Sequence, residues 1–113
     1  MAYTLGFVDA QELAEHFEKH VTIRQEFVVK SEIEYQALAD TFLGSPLDVD
    51  THECNRRRRD GSNDRIRYNK ITQEYGILSA RNVIRSYYIA DPLEHGWPSN
   101  YDYWQWDCNH LRG

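Results

Sequence analysis

The sequence predicts an α+β domain with N-terminal helices packed on a three- to four-stranded antiparallel sheet, because two helical stripes are followed by runs of period two. Capping boxes punctuate the first half and hairpin turns the second, with no Pro-, Gly- or Ser-rich linker between them. At 113 residues the chain reads as one domain over 1–113, with a helical part at about 9–44, a sheet at about 52–90 and an aromatic tail at 91–113.

Asp9 followed three residues later by Glu12 forms a capping box, and Leu13, His16, Phe17 and His20 then fall on one stripe, predicting a helix over about 9–20. Residues 22–29 are strand-like in type but do not alternate, so their state is open. Ser31 with Glu34 opens a second helix, whose stripe of Tyr35, Leu38, Ala39 and Phe42 stops at Gly44 and Pro46. From about residue 52 the period becomes two. Arg65, Arg67 and Asn69 alternate with Ile66 and Tyr68; Tyr75, Ile77 and Ser79 with Gly76 and Leu78; Val83, Arg85, Tyr87 and Ile89 with Ile84, Ser86 and Tyr88. Turns at 60–64, 69–73 and 80–82 join these runs into a meander. The helices are expected on one face of the sheet and the Trp- and Tyr-rich tail around its edge.

With 41% apolar and 13% aromatic residues the chain is not of the disordered class. No apolar run approaches the roughly 18 residues of a membrane helix, and the first residues lack the basic start and apolar run of a signal peptide, so a soluble chain made in the cytosol is expected, with no membrane partner. The net charge of −5 argues against a phosphate ligand, but its distribution is uneven. Residues 1–50 hold ten acids and three bases, 51–90 four acids and nine bases, and 91–113 four acids and one base. The basic block falls on the strands, where it can face a polyanion or form surface ion pairs.

His16 and His20 are spaced as metal ligands but lack the glutamate of H-E-x-x-H; the alternative is a pair of histidines at the edge of the core. His52-x-Cys54 and Cys108-x-His110 fall outside the usual zinc spacings. No metal or other cofactor is therefore expected. Without a C-x-x-C pair or an export signal, the two cysteines are expected to remain thiols. The run Arg56–Arg59 reads as solvated surface. Arg65 and Arg67 share a strand face, while Arg85, in an apolar strand, needs a carboxylate or an anionic ligand. Tyrosines at 68, 75, 87, 88 and 103 interleave with these bases and either stack nucleobases or pack the sheet. Phosphate-binding glycine loops and the G-x-S-x-G elbow are missing from the chain.

Several stretches together resemble the toxin domain at the C-termini of bacterial polymorphic and contact-dependent growth-inhibition toxins. His16-Phe17-Glu18-Lys19-His20 is similar to the family's H-F-x-K-H segment, and Glu34-Tyr35 to the E-Y pair of its next helix. Arg67-Tyr68-Asn69-Lys70-Ile71-Thr72-Gln73-Glu74-Tyr75-Gly76 resembles R-Y-[DN]-x-x-T-x-[EQ]-[FY]-G, and Ile84-Arg85-Ser86-Tyr87-Tyr88 resembles I-R-T-[YF]-[YF]. His95-Gly96-Trp97-Pro98-Ser99-Asn100-Tyr101-Asp102-Tyr103-Trp104 is similar to the closing H-G-x-x-[ST]-N-x-x-Y-[FW]. The chain departs from the pattern at Val21 (Gly in the family), Ser86 (Thr) and Ile89-Ala90 (Lys-Pro).

The resemblance implies a barnase/EndoU/colicin/RelE-like fold and a metal-independent ribonuclease, often directed at tRNA and inhibited by an immunity protein. On that expectation the ribose 2′-hydroxyl attacks the adjacent phosphorus and leaves a cyclic phosphate. His20 is base or acid with His16 as its complement, Arg67 and Arg85 stabilise the phosphate, and Thr72 and Ser86 orient it. Arg65, Tyr68, Tyr88 and His95 are expected to bind the RNA. The acidic net charge suggests that a translation elongation factor delivers the substrate. The site of action is then the bacterial cytoplasm, after delivery from a secreted parent toxin. The alternatives are a degenerate member of the fold that binds RNA or protein without cutting, and an assembly protein that associates through its aromatic tail.

Overall fold

The computed structural model describes residues 2–112. Asp9 caps helix α1 (Ala10–Phe17), its carboxylate accepting the Glu12 N–H at 2.8 Å, and the helix widens without a break into a π-helical turn at Glu18–Ile23. Ser31 caps α2 (Glu32–Gly44) by accepting the Glu34 N–H at 3.2 Å. Strands β1 (Thr51–Arg57), β2 (Asn63–Asn69), β3 (Glu74–Leu78) and β4 (Ile84–Ile89) then form an antiparallel meander in that order. A single turn, α3 (Pro92–His95), leads to α4 (Asn100–Cys108), capped by Ser99. The molecule is an α+β fold, as the change of hydrophobic period predicts. Residues 22–29 hold no strand.

Helices cover both faces of the sheet rather than one. Ile66, Tyr68, Tyr75 and Ile77 make one apolar face, against which Tyr103 and Trp104 of α4 pack; Leu78, Ile84 and Tyr87 make the other, with Tyr35, Ala39 and Leu43 of α2. Adjacent Tyr87 and Tyr88 point to opposite faces, so each face carries a large ring that water would otherwise meet. The aromatic tail is therefore the second cover, and its end also borders the sheet edge, where Arg112 bridges Arg58 in parallel beyond β1, its N–H donating to the Arg57 carbonyl at 3.1 Å. Gly76 lets α2 approach: a Cβ there would lie 2.9 Å from Leu43 Cδ2 and 3.2 Å from the Ser86 carbonyl.

The edge strand β4 is masked by the N-terminal half. Phe7 bridges Ile84 in parallel, the Ile84 N–H donates to the Gly6 carbonyl at 2.8 Å, and the Ile89 N–H donates to Glu26 Oε1 at 2.7 Å. The segment after α1 straddles this edge. Phe27 stacks on Tyr87 on one side, and His20 stacks on Tyr88 on the other. Four donors from Ala2, Tyr3 and Thr4 converge on the Asp40 carboxylate and anchor the N-terminus to α2.

Two expectations are corrected. Cys54 of β1 and Cys108 of α4 form a disulfide, with Cα atoms 6.1 Å apart across a sequence separation of 54. Cysteine spacing along the chain carries no information about this tertiary approach, which α4 creates by lying over β1 and β2. Closing a loop of that length is worth roughly 4 kcal/mol in the chain-entropy account. Urea unfolding of Cys54→Ser/Cys108→Ser is expected to show a loss of about 2–4 kcal/mol, and an unchanged midpoint would contradict a stabilising bridge. Arg56 is also not solvated. It is 2% exposed and bridges two carboxylates, Asp64 (3.0 Å) and Asp107.

Candidate active site

The π-helical turn places His20. In it the Arg24 N–H reaches back five residues to the Lys19 carbonyl at 3.0 Å, and the widened turn carries the His20 ring over the edge of β4 onto Tyr88, with centroids 5.4 Å apart. Gln25, at φ 52°, then reverses the chain so that Glu26 faces His20. Glu26 Oε2 lies 3.1 Å from His20 Nδ1, while Oε1 accepts the Ile89 N–H. Both side chains are nearly buried, at 6% and 11% exposure. A carboxylate facing Nδ1 fixes the proton there, which leaves Nε2 as the basic nitrogen. Among the described residues Nε2 makes no hydrogen bond, and it is not one of the fully buried unpartnered atoms, so it reaches solvent.

Tyr88, on which the His20 ring stacks, links the pair to further hydroxyls and to one cleft, whose lining does not include His20 itself. Tyr88 Oη is 3.2 Å from Tyr103 Oη of α4, and burial, with Tyr103 alongside, pushes the Tyr88 hydroxyl well above the ordinary tyrosine value. Tyr88 therefore stays a proton donor at any physiological pH. Ser86 stands two residues along β4 from Tyr88, on the same side of the sheet. A cleft of about 310 Å³ opens beside Tyr88 and Tyr103, lined also by Lys19, Arg24, Asp91, Glu94 and His95. Its charges balance, and Arg24 is paired with Glu94 at 3.0 Å, which leaves Lys19 as its unengaged cation among the described residues.

His16 lies one turn before His20, between the rings of Phe7 (4.9 Å) and His20 (5.9 Å). Its Nδ1 is buried without a partner. Burial first, and the neighbouring His20 second, hold its imidazole below the ordinary histidine value, with Glu12 opposing. The unfolded chain then binds more protons than the folded one just below pH 6.5, so this contribution to stability is complete above that pH and is lost as pH falls. His16→Phe, which keeps the ring stack, is expected to flatten the decline of the urea midpoint between pH 7 and 5; equal slopes would contradict a neutral His16.

His95 sits across Tyr103 from Tyr88, its ring stacked at 4.2 Å. Both its nitrogens are engaged: Nδ1 accepts the Trp97 N–H at 3.1 Å and Nε2 meets Asn100 Oδ1 at 2.7 Å. Asn100 Nδ2 donates to the Ala90 carbonyl and to Gln73 Oε1, so Oδ1 faces the histidine and His95 carries its proton on Nε2. Tyr68 also donates to Gln73 Oε1, at 3.0 Å, and so joins this chain beneath α4.

The arginines and Thr72 lie elsewhere. Arg67 Nη1 donates to the Phe42 and Ser45 carbonyls at 3.0 and 2.7 Å, and its Nε to Glu53 at 3.0 Å. Arg65 Nη2 donates to the Leu43 carbonyl at 2.5 Å; its Nε is 3.0 Å from Glu53 but misaligned for a hydrogen bond. The two guanidinium groups thus satisfy the carbonyls that α2 leaves open at its C-terminus. Thr72, exposed in the β2–β3 turn, donates to Glu74 Oε1 at 2.7 Å. Arg85 is the unmatched residue where β3 and β4 slip register, and its Nε donates to Asp64 at 2.9 Å. Of the residues singled out from sequence, His16, His20 and Tyr88 stack in a row. His95 and Tyr68 join Tyr88 through Tyr103, Tyr75 and the Gln73 chain, and Ser86 shares their side of the sheet, while Arg65, Arg67, Thr72 and Arg85 are engaged elsewhere.

Compared with known protein families, with curated proteins and with solved structures, the chain matches none of them. Among the described residues no helix is long and apolar enough to cross a membrane, and no three His, Cys, Asp or Glu side chains gather as metal ligands. Glu26 is the site residue that sequence reasoning missed, while Tyr103 reads from sequence only as one of the stacking or packing tyrosines. Glu26 follows a stretch without readable periodicity, and its role depends on one left-handed residue before it.

Proposed function

We propose that the chain is an RNA endonuclease of the toxin type, cutting RNA by attack of a ribose 2′-hydroxyl on the adjacent phosphorus. The observation that carries this reading is the Glu26–His20 pair, whose Nε2 makes no hydrogen bond among the described residues and whose ring stacks on Tyr88. Nε2 takes the 2′-hydroxyl proton while the 2′-oxygen bonds to phosphorus and the bond to the 5′-oxygen breaks; Glu26 stabilises the imidazolium that forms. The 5′-oxygen leaves with a proton from Tyr103 or from water, and the products are a 2′,3′-cyclic phosphate and a 5′-hydroxyl. Lys19 and the Ser86 hydroxyl are the groups available to the charged phosphorane. No step draws on a metal.

tRNA is the proposed substrate class and an immunity protein the proposed inhibitor, on the resemblance already described, with a translation elongation factor as delivering partner. The disulfide supports passage through an oxidising compartment before action in a bacterial cytoplasm. One observation favours a second reading, RNA or protein binding without cleavage: the cleft is charge-balanced, and the strand arginines are engaged inside the protein. Induced expression in bacteria separates the two. Growth arrest with accumulation of cut tRNA, both abolished by His20→Asn, supports the nuclease; arrest that His20→Asn leaves intact supports the binding module.

A further inference from the structure

Resting on the ribonuclease reading, the geometry points to a second binding subsite, for one unpaired nucleobase, in the cleft between α4 and the loop before it. This cleft, of about 380 Å³, is lined by Trp97, Pro98, Asp102, Gln105, Trp106, Asn109 and His110. Trp97 and Trp106 are 36% and 42% exposed, an unusual share for large rings that could have been buried in the core. A line of ring contacts joins the cleft to the candidate active site: Trp97 to Trp106 at 5.5 Å, Trp106 to Tyr103 at 6.0 Å, and Tyr103 to His95 at 4.2 Å. A nucleotide flanking the scissile bond at Tyr103 therefore finds a stacking surface next along its path.

The polar lining narrows the ligand. No Lys or Arg lines the cleft, so it does not hold a phosphate. The Asp102 carboxylate makes no hydrogen bond among the described residues. Gln105 and Asn109 each donate one amide N–H locally, to the Tyr101 hydroxyl and the Gln105 carbonyl, and their side-chain oxygens accept nothing among the described residues. The cleft is thus aromatic, anionic and rich in acceptors. Of the nucleobases, guanine offers two adjacent N–H donors on its Watson–Crick edge, the pattern that a carboxylate accepts in pairs, whereas uracil offers one. The subsite is assigned to guanine.

The test is tryptophan fluorescence of the wild-type chain titrated with short single-stranded RNA carrying 2′-O-methyl groups, which binds but cannot undergo 2′-attack. Oligomers of one guanine in a uridine background are expected to quench and to bind at least tenfold tighter than all-uridine oligomers. Trp106→Ala is expected to weaken binding by about 5- to 150-fold, since stacking of one base is worth about 1–3 kcal/mol. Asp102→Asn, which removes the carboxylate but keeps the size of the side chain, is expected to abolish the guanine preference. Equal affinity for both oligomers overturns the assignment, as does quenching by neutral oligosaccharides in place of RNA. Loss of tRNA cleavage with intact guanine binding removes the nuclease and leaves the subsite; cleavage that persists without guanine preference does the reverse.

Discussion

His20→Asn is expected to lower the rate of RNA cleavage by about 10²–10⁴-fold, the usual contribution of a positioned general base. Asparagine keeps a donor toward Glu26, where the imidazole now presents Nδ1 at 3.1 Å, but has no second nitrogen to take a proton. The change therefore removes the chemistry while retaining the contact that closes the segment over β4. Glu26→Gln separates positioning from catalysis. It keeps an oxygen for the Ile89 N–H and loses the charge that stabilises the imidazolium, so kcat is expected to fall more than KM rises, with a displaced pH profile. His20→Asn with wild-type activity and an unchanged thermal midpoint would contradict the assignment outright.

Asp64→Ala is expected to destabilise the fold by about 3–5 kcal/mol, because it leaves buried guanidinium charge without its counter-ion. The Asp64 side chain is fully buried and accepts from Arg56 (3.0 Å), Arg58 (2.9 Å) and Arg85 (2.9 Å); Arg56 passes on to Asp107, whose other oxygen accepts from Tyr75 at 2.6 Å. This network joins all four strands and α4. Burial by itself would raise the Asp64 pKa, and the three arginine hydrogen bonds outweigh it, so the carboxyl is held below its ordinary value. At Asp40 burial is likewise outweighed, by the Thr4 hydroxyl and three backbone N–H groups. For both, the unfolded chain binds more protons between the lowered native value and about 3.9. Stability from these groups is complete above that range and is lost as pH falls through the native values. Urea midpoints should drop below pH 4, less steeply in Asp64→Ala; parallel curves would deny Asp64 this part.

The fold was legible in the sequence where local physics decides it. Asp9 with Glu12 and Ser31 with Glu34 mark helix starts because a cap and its backbone donor lie within three residues. The strands are visible because successive residues point to opposite faces, which gives the runs their period of two. Adjacent Tyr87 and Tyr88 also held the clue to a second cover, since one residue of any neighbouring pair must face away from the N-terminal helices. The arginines were misleading for a physical reason: alternation gives the face of Arg65 and Arg67 but not that the open carbonyls of α2 lie beneath it. The disulfide and the Glu26–His20 pair likewise depend on distances set only when the chain has folded. Within the site, His20 could be read from its helical stripe, and Glu26 could not, because residues 22–29 have no period and Gln25 takes a left-handed turn that its side chain does not announce.

The most direct measurement is analysis of RNA ends after incubating end-labelled tRNA with the wild-type protein and with His20→Asn, in the presence of a metal chelator. A Glu26-held His20 that takes the 2′-hydroxyl proton predicts fragments ending in 2′,3′-cyclic phosphate with 5′-hydroxyl partners, formed by the wild type and not by the variant. Fragments bearing 5′-phosphates, cleavage that stops with the chelator, or equal cutting by the variant would contradict it.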